Sequence, residues 1–126
     1  MERILGRVGP QLYAILRIVS GLLFACHGAA KLFGVLGGPQ VPLQSQFGLA
    51  GVIELVCGLL IAIGFFTGFA AFLASGEMAV AYFMAHLPRG PWPMRNGGEP
   101  AVLFCFLFLF IASRGAGIWG VDRSRK

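Results

Sequence analysis

The chain predicts an all-α fold: an integral membrane four-helix bundle, antiparallel and up-down-up-down, with both termini cytoplasmic. Three observations carry that expectation. Hydrophobic residues make up 57% of the sequence and charged residues 12%, with a mean hydropathy of +0.80, whereas a soluble domain averages about 45–50% apolar and about 25% charged. The apolar residues fall into four segments separated by Gly- and Pro-rich breaks. The basic residues gather at the two ends, with Arg3, Arg7, Arg114, Arg123, Arg125 and Lys126 on one side of the expected topology and Arg89 and Arg95 on the other. Positive flanks of this kind stay in the cytoplasm. A length of 126 residues suits one domain, 1–126. The net charge of +5 forms no patch interleaved with aromatics, which argues against nucleic acid as a partner.

Residues 1–10 read as a basic tail, open to beginning as an interfacial helix, in which Gly9-Pro10 is a break. Arg17 interrupts the following apolar run and three more apolar segments come after it, so this is a retained span rather than a cleaved signal peptide. The first helix is expected from Gln11 to Leu36, enough to cross about 30 Å of hydrocarbon. Turns of about 100° per residue put Arg17, Gly21, Phe24, Gly28 and Lys31 on one stripe, with His27 at its edge. The two glycines let another helix approach closely. Gly37 to Pro42 then stops the helix.

A second helix is expected from Phe47 to Phe65, carrying Glu54 with Gly51 and Gly58 on the same side. The very short Gly64–Gly68 connection makes the third helix, Thr67 to Leu87, an antiparallel neighbour. It carries Glu77 beside Ala70, Ala74 and Ala81, and ends near His86. Residues 88–98 cannot be helical throughout, and Trp92 suits an interfacial anchor. The fourth helix begins at Glu99-Pro100, since proline is tolerated in a first turn, and runs to Arg114. Its apolar core, Ala101 to Ser113, is only 13 residues, so Glu99 or Arg114 is expected at an interface. Phe104, Phe106, Phe108 and Phe110 read as lipid-facing or packing surface. Cys26, Cys57 and Cys105 lack any C-x-x-C spacing and read as buried small hydrophobes.

The ionisable residues within apolar segments are the candidate functional groups, because such groups are costly in a bilayer and usually face a bundle interior. Lys31 and His27 lie in the outer half of the first helix. Glu54 lies about 10 Å from the outer start of the second. His86 closes the third helix on that side and Glu99 opens the fourth. These five form the candidate catalytic cluster, with Glu54 expected to pair with His27 or Lys31. Arg17 lies deeper, with Glu77 the carboxylate within reach, and the two are expected to form a structural ion pair. Two cations against three carboxylates leave one excess negative charge, so a histidine or a carboxyl must hold a proton. A metal site is not expected: His27, His86, Glu54 and Glu99 include no i,i+4 ligand pair of the H-E-x-x-H kind.

Several of these residues also carry a resemblance. Arg17-x-x-x-Gly21-x-x-Phe24-x-x-His27-Gly28-x-x-Lys31-Leu32-Phe33-Gly34, then Glu54-x-x-x-Gly58 with Gly64 and Thr67, then Met78-x-x-Ala81 through His86, Asn96-Gly97-Gly98-Glu99, and Gly115-x-Gly117-x-Trp119 with Asp122 stand in the order of the DoxX family of small bacterial membrane proteins. The chain resembles that family over nearly its whole length. The resemblance implies a four-helix protein of the cell inner membrane. The family takes its name from a subunit of an archaeal thiosulfate:quinone oxidoreductase, and other relatives are linked to oxidative-stress or thiol-redox complexes.

The leading expectation is therefore a membrane subunit of a quinone- or thiol/sulfur-linked redox system. The chain has no haem ligand pair, flavin motif or iron–sulfur cysteine set, so no intrinsic cofactor is expected and electrons would come from a redox partner protein. An external quinone would meet the cluster. Lys31 would hold a negative oxygen, with Asn96 a neighbouring donor. His27 or His86 would transfer a proton, and Glu54 and Glu99 would orient them. Lipid is the expected surroundings, and a homo-oligomer stays open. The alternative is a non-enzymatic membrane scaffold or a small-solute permease.

Overall fold

The computed structural model describes residues 1–37 and 40–122. Gly38-Pro39 of the expected helix stop and the basic Arg123-Ser124-Arg125-Lys126 end lie outside the described residues. Every long element among the described residues is helical: α1 (Gly9–Phe33), α2 (Gln46–Ile63), α3 (Thr67–Ala81) and α4 (Glu99–Arg114). Three helical stretches, Glu2–Phe33, Gln46–Ile63 and Thr67–Arg89, are long and apolar enough to cross a membrane. At 16 residues, α4 is shorter.

The boundaries differ from expectation where local chemistry decides them. Gly9-Pro10 is not a break: a one-turn helix (Glu2–Leu5) and a 3₁₀ turn (Gly6–Val8) lead directly into α1. Proline in the first turn lacks the N–H that has no helical partner there. At the other end α1 stops three residues early, because Gly34 takes φ +67° and caps it through Ala30 O. Ser45 caps α2 by accepting from Gly48 N at 3.0 Å. The third helical run is not uniform. It is α to Ala81, a π turn over Tyr82–His86, then a 3₁₀ turn over Leu87–Arg89. The 88–98 loop contains a single helical turn, Pro93–Asn96.

The hairpins are antiparallel, and glycine sets the spacing of the first. A Cβ on Gly21 would lie 2.6 Å from Ala62 N and one on Gly58 2.6 Å from Gly21 O. A Cβ on Gly28 would strike the Leu55 and Gly51 backbone. Residues rising along α1 therefore meet residues falling along α2, backbone against backbone, as in close-packed membrane helices. The second hairpin pairs α3 with α4: the Ser75 hydroxyl donates to Cys105 O at 2.7 Å, and Asn96 Nδ2 donates to Tyr82 Oη at 3.2 Å. The core joining the hairpins holds Phe24, Cys57, Ile61, Ala70, Ala74, Met78 and Phe108.

Outward, the molecule is apolar. Leu22, Leu23, Phe69, Phe72, Val80, Leu103 and Phe106 are all exposed. A surface like this is stable only when something apolar covers it, which for spanning helices is lipid. Of the cysteines, Cys57 is buried and Cys105 half-buried, but Cys26 is exposed among the outward leucines, contrary to its expected burial.

Candidate functional site

Two buried polar centres sit in the bundle at different depths. The first depends on the glycine seam. Gly51 lies directly under the root of Lys31, so a Cβ there would come within 3.1 Å of Lys31 Cβ. The lysine passes over Gly51 and reaches Glu54 one turn deeper, with Lys31 Nζ 2.6 Å from Glu54 Oε2. Glu54 is buried to 1% exposure, while the Lys31 side chain keeps 31%. Glu77 of α3 comes within hydrogen-bond reach of the Glu54 carboxyl. Glu54 Oε1 and Glu77 Oε1 are both buried and have no hydrogen-bond partner.

The second centre is Arg17, and here the structure corrects the expected pairing with Glu77. The guanidinium, fully buried, is surrounded by main-chain carbonyls. Nε donates to Ala116 O at 2.8 Å, one terminal nitrogen to Ile61 O and Ala62 O at 2.8 and 2.7 Å, and the other to Ile118 O and Trp119 O at 3.2 and 3.1 Å. Ile61 and Ala62 end α2, where carbonyls lack helical donors and the helix dipole favours a cation. The physical reason for the correction is geometric: a planar five-donor fork fits convergent carbonyls, and the segment after α4 folds back to supply three of them. That segment is fastened further. Tyr13 Oη donates to Gly115 O at 2.7 Å, Val121 N to Ile63 O at 3.1 Å and Asp122 N to Gly64 O at 2.7 Å. Asp122 then accepts from Phe66 N at 3.0 Å and from Thr67 N and Oγ1 at 2.9 and 2.8 Å, capping α3 from outside. Reasoning from the segments missed this clasp. Its signal was present in the Gly115-x-Gly117-x-Trp119 and Asp122 pattern, whose glycines at 115 and 117 have positive φ.

The expected five-residue cluster is not assembled as one group. Among the described residues, no hydrogen bond or ion pair ties His27, His86 or Glu99 to Lys31 or Glu54. His27 is exposed, its ring edge-on to Phe104 with centroids 6.2 Å apart. Glu99 is exposed in the first turn of α4, where a carboxylate complements the dipole. His86 Nδ1 lies 3.3 Å from Asn96 O. Asn96 is not a free donor beside Lys31. It is 1% exposed, its amide donates to Tyr82 Oη and Gly90 O, and its Oδ1 accepts from Gly98 N. It organises the loop between α3 and α4, packing Gly98 against the Tyr82 ring where a Cβ would come within 2.6 Å. A buried amide is stable only with its polar atoms satisfied, which is why Asn96 turns inward.

An apolar groove separates α1 from α4. Leu16, Val19, Ser20 and Leu23 form one wall and Pro100, Leu103, Phe104 and Leu107 the other, around about 320 Å³. The Phe24 ring packs against Phe104 and Phe108, with centroids 5.6 and 4.8 Å apart. His27 stands one turn beyond Leu23, against the Phe104 that also lines the groove.

Apolar helices, an apolar outer surface and charged groups turned inward define a multi-pass membrane protein. The chain belongs to the DoxX family, whose model matches residues 12–87, from the first turn of α1 to Leu87. It is 41% identical over 120 residues to an uncharacterized protein of Haemophilus influenzae, covering 90% of each chain. It is 27% identical over 139 residues to an uncharacterized membrane protein of Mycobacterium tuberculosis, covering 96% of this chain and 85% of that one. No solved structure matches it.

Proposed function

We propose that this protein is an inner-membrane subunit of a redox system, with four spans and cytoplasmic termini, and that it receives an isoprenoid quinone in the groove between α1 and α4. One observation carries the reading: an exposed imidazole, His27, stands on the lipid-facing surface beside an apolar groove and shares its Phe104 wall. An ionisable ring turned toward lipid is costly unless it meets a polar partner there. A branched apolar chain fits walls of leucine, valine and phenylalanine, and a head group at the Phe104 end places an oxygen within reach of the ring. A quinone supplies two-electron, two-proton chemistry. His27 would donate a hydrogen bond to one oxygen and deliver a proton as that oxygen gains charge. Phe104 would hold the ring plane. Electrons would arrive from a partner protein, since the chain carries no cofactor motif.

The test uses tryptophan quenching in lipid vesicles. In a Trp92→Phe, Trp119→Phe background, Leu103→Trp places a reporter on the groove wall and Leu49→Trp one on exposed α2 surface. A short-chain quinone should quench the groove reporter saturably and the α2 reporter only in proportion to its concentration. His27→Gln should weaken the saturable part about tenfold, the effect of losing a hydrogen bond of about 1.4 kcal/mol. Equal, unsaturable quenching at both sites refutes the reading. A membrane scaffold without chemistry is the second reading, favoured by Arg17 and Asn96, whose donors all serve the chain's own backbone and Tyr82.

A further inference from the structure

One buried polar contact joins three helices and lacks one hydrogen. Lys31 from α1 donates to Glu54 Oε2, which makes Glu54 the ionised partner of that pair. Glu77 from α3 meets the same carboxyl. The oxygens left over, Glu54 Oε1 and Glu77 Oε1, are both buried and unpartnered, with Glu54 itself 1% exposed. Two carboxylates carry acceptors only, so they can hydrogen-bond each other only if a proton lies between them. Counting charge gives the same answer: one lysine balances one carboxylate, and a second bare carboxylate in contact with the first has nothing to neutralise it. Among the described residues the neighbouring elements add no cation. Cys57 is the nearby titratable group on α2, and α4 has charge only at Glu99 and Arg114, both exposed at its ends.

We infer that Glu54 and Glu77 form an intramembrane proton-binding site in which Glu77 holds one proton, donated to Glu54 and balanced by Lys31. With the proton in place the triad is neutral: one ammonium, one carboxylate, one carboxylic acid. Lys31 keeps 31% of its side chain exposed and Glu77 is half-buried, so the proton exchanges with the surroundings past these two rather than through the buried Glu54. The site stands apart from the groove and does not depend on what the groove receives.

Infrared spectroscopy of the full chain in lipid vesicles reads the proton directly, through the C=O stretch of a protonated carboxylic acid. At neutral pH the protein should show that band, and it should shift in heavy water. Glu77→Gln, which keeps the shape of the acid, should remove it while leaving the melting temperature in place. Lys31→Met should enlarge it roughly twofold, because without the cation the second carboxyl must also be protonated. A missing band at neutral pH overturns the inference, as does a band that survives Glu77→Gln or fails to grow in Lys31→Met. Replacing potassium by sodium chloride supplies a last arm. A melting temperature that rises with sodium in the wild type and not in Glu77→Gln would put a metal cation, not a proton, between the carboxyls.

Discussion

Replacing Arg17 tests whether the clasp, rather than an ion pair, holds this bundle closed. Arg17→Leu removes three short donations, 2.7 to 2.8 Å long, and two longer ones of 3.1 and 3.2 Å. Hydrogen bonds to a charged group contribute about 1.5–3 kcal/mol each, so the three short ones amount to about 4–9 kcal/mol. Against this stands the cost of keeping a guanidinium out of water, several kcal/mol per ion. The net loss should be about 3–5 kcal/mol, in line with the removal of one side of a buried polar centre. Arg17→Lys should recover little, since a single ammonium cannot serve carbonyls at Ile61, Ala62, Ala116, Ile118 and Trp119 together. The assay is equilibrium unfolding in mixed micelles, run on Arg17→Leu, Glu77→Leu and the double variant. Arg17 and Glu77 do not touch, so the two losses should add to within about 0.5 kcal/mol. A double variant clearly more stable than that sum would mean the guanidinium and Glu77 are coupled, and the clasp account would be refuted.

Asp122→Ala should cost about 0.5–2 kcal/mol, the loss of a helix cap, and leave hydrogen exchange faster at Phe66 and Thr67 than elsewhere in α3. Gly58→Leu should cost about 1–3 kcal/mol or more by forcing α1 and α2 apart, seen as a lower unfolding midpoint, whereas Gly76→Leu, at a glycine with open space around it, should be near neutral. Asn96→Leu should free the loop between α3 and α4, so that trypsin cuts after Arg89 or Arg95, both exposed, several times faster than in the wild type. A reporter enzyme active only in the periplasm should stay silent when fused to the C-terminus; activity there would overturn the cytoplasmic placement of the termini.

Much of the architecture was legible because membrane helices are written in composition. Runs of apolar residues, the breaks at Gly37 to Pro42 and at Gly64 to Gly68, and the proline after Glu99 place α1 to α4 to within a few residues, since hydropathy and backbone conformation are local properties. The glycines at 21, 28, 51 and 58 pointed to close helix contact for the same reason: on a helix, their spacing alone puts them on one face. The Lys31–Glu54 contact was open to inference too, as one of two partners for Glu54, because both residues lie in the outer half of a hairpin whose register the connection limits.

What the tertiary structure decided is where each polar group turns. Arg17 and Glu77 lie at compatible depths, and depth suggested a pair. The fold instead brings the 115–122 segment back across the end of α2, and its carbonyls take the guanidinium before any carboxylate can. Glu77, released from that role, meets Glu54. His27 and Lys31 are four residues apart on one helix, yet one faces outward beside Phe104 and the other turns over Gly51 into the bundle. Asn96, Glu99 and His86 are close in sequence, yet only Asn96 is buried, because the loop needs its amide to join Tyr82, Gly90 and Gly98. Local sequence determined which residues are helical and how deep each charge sits. Only packing decided which neighbours those charges meet, because a partner is chosen by side-chain rotation and by the return path of a distant segment, and neither is a local property of the chain.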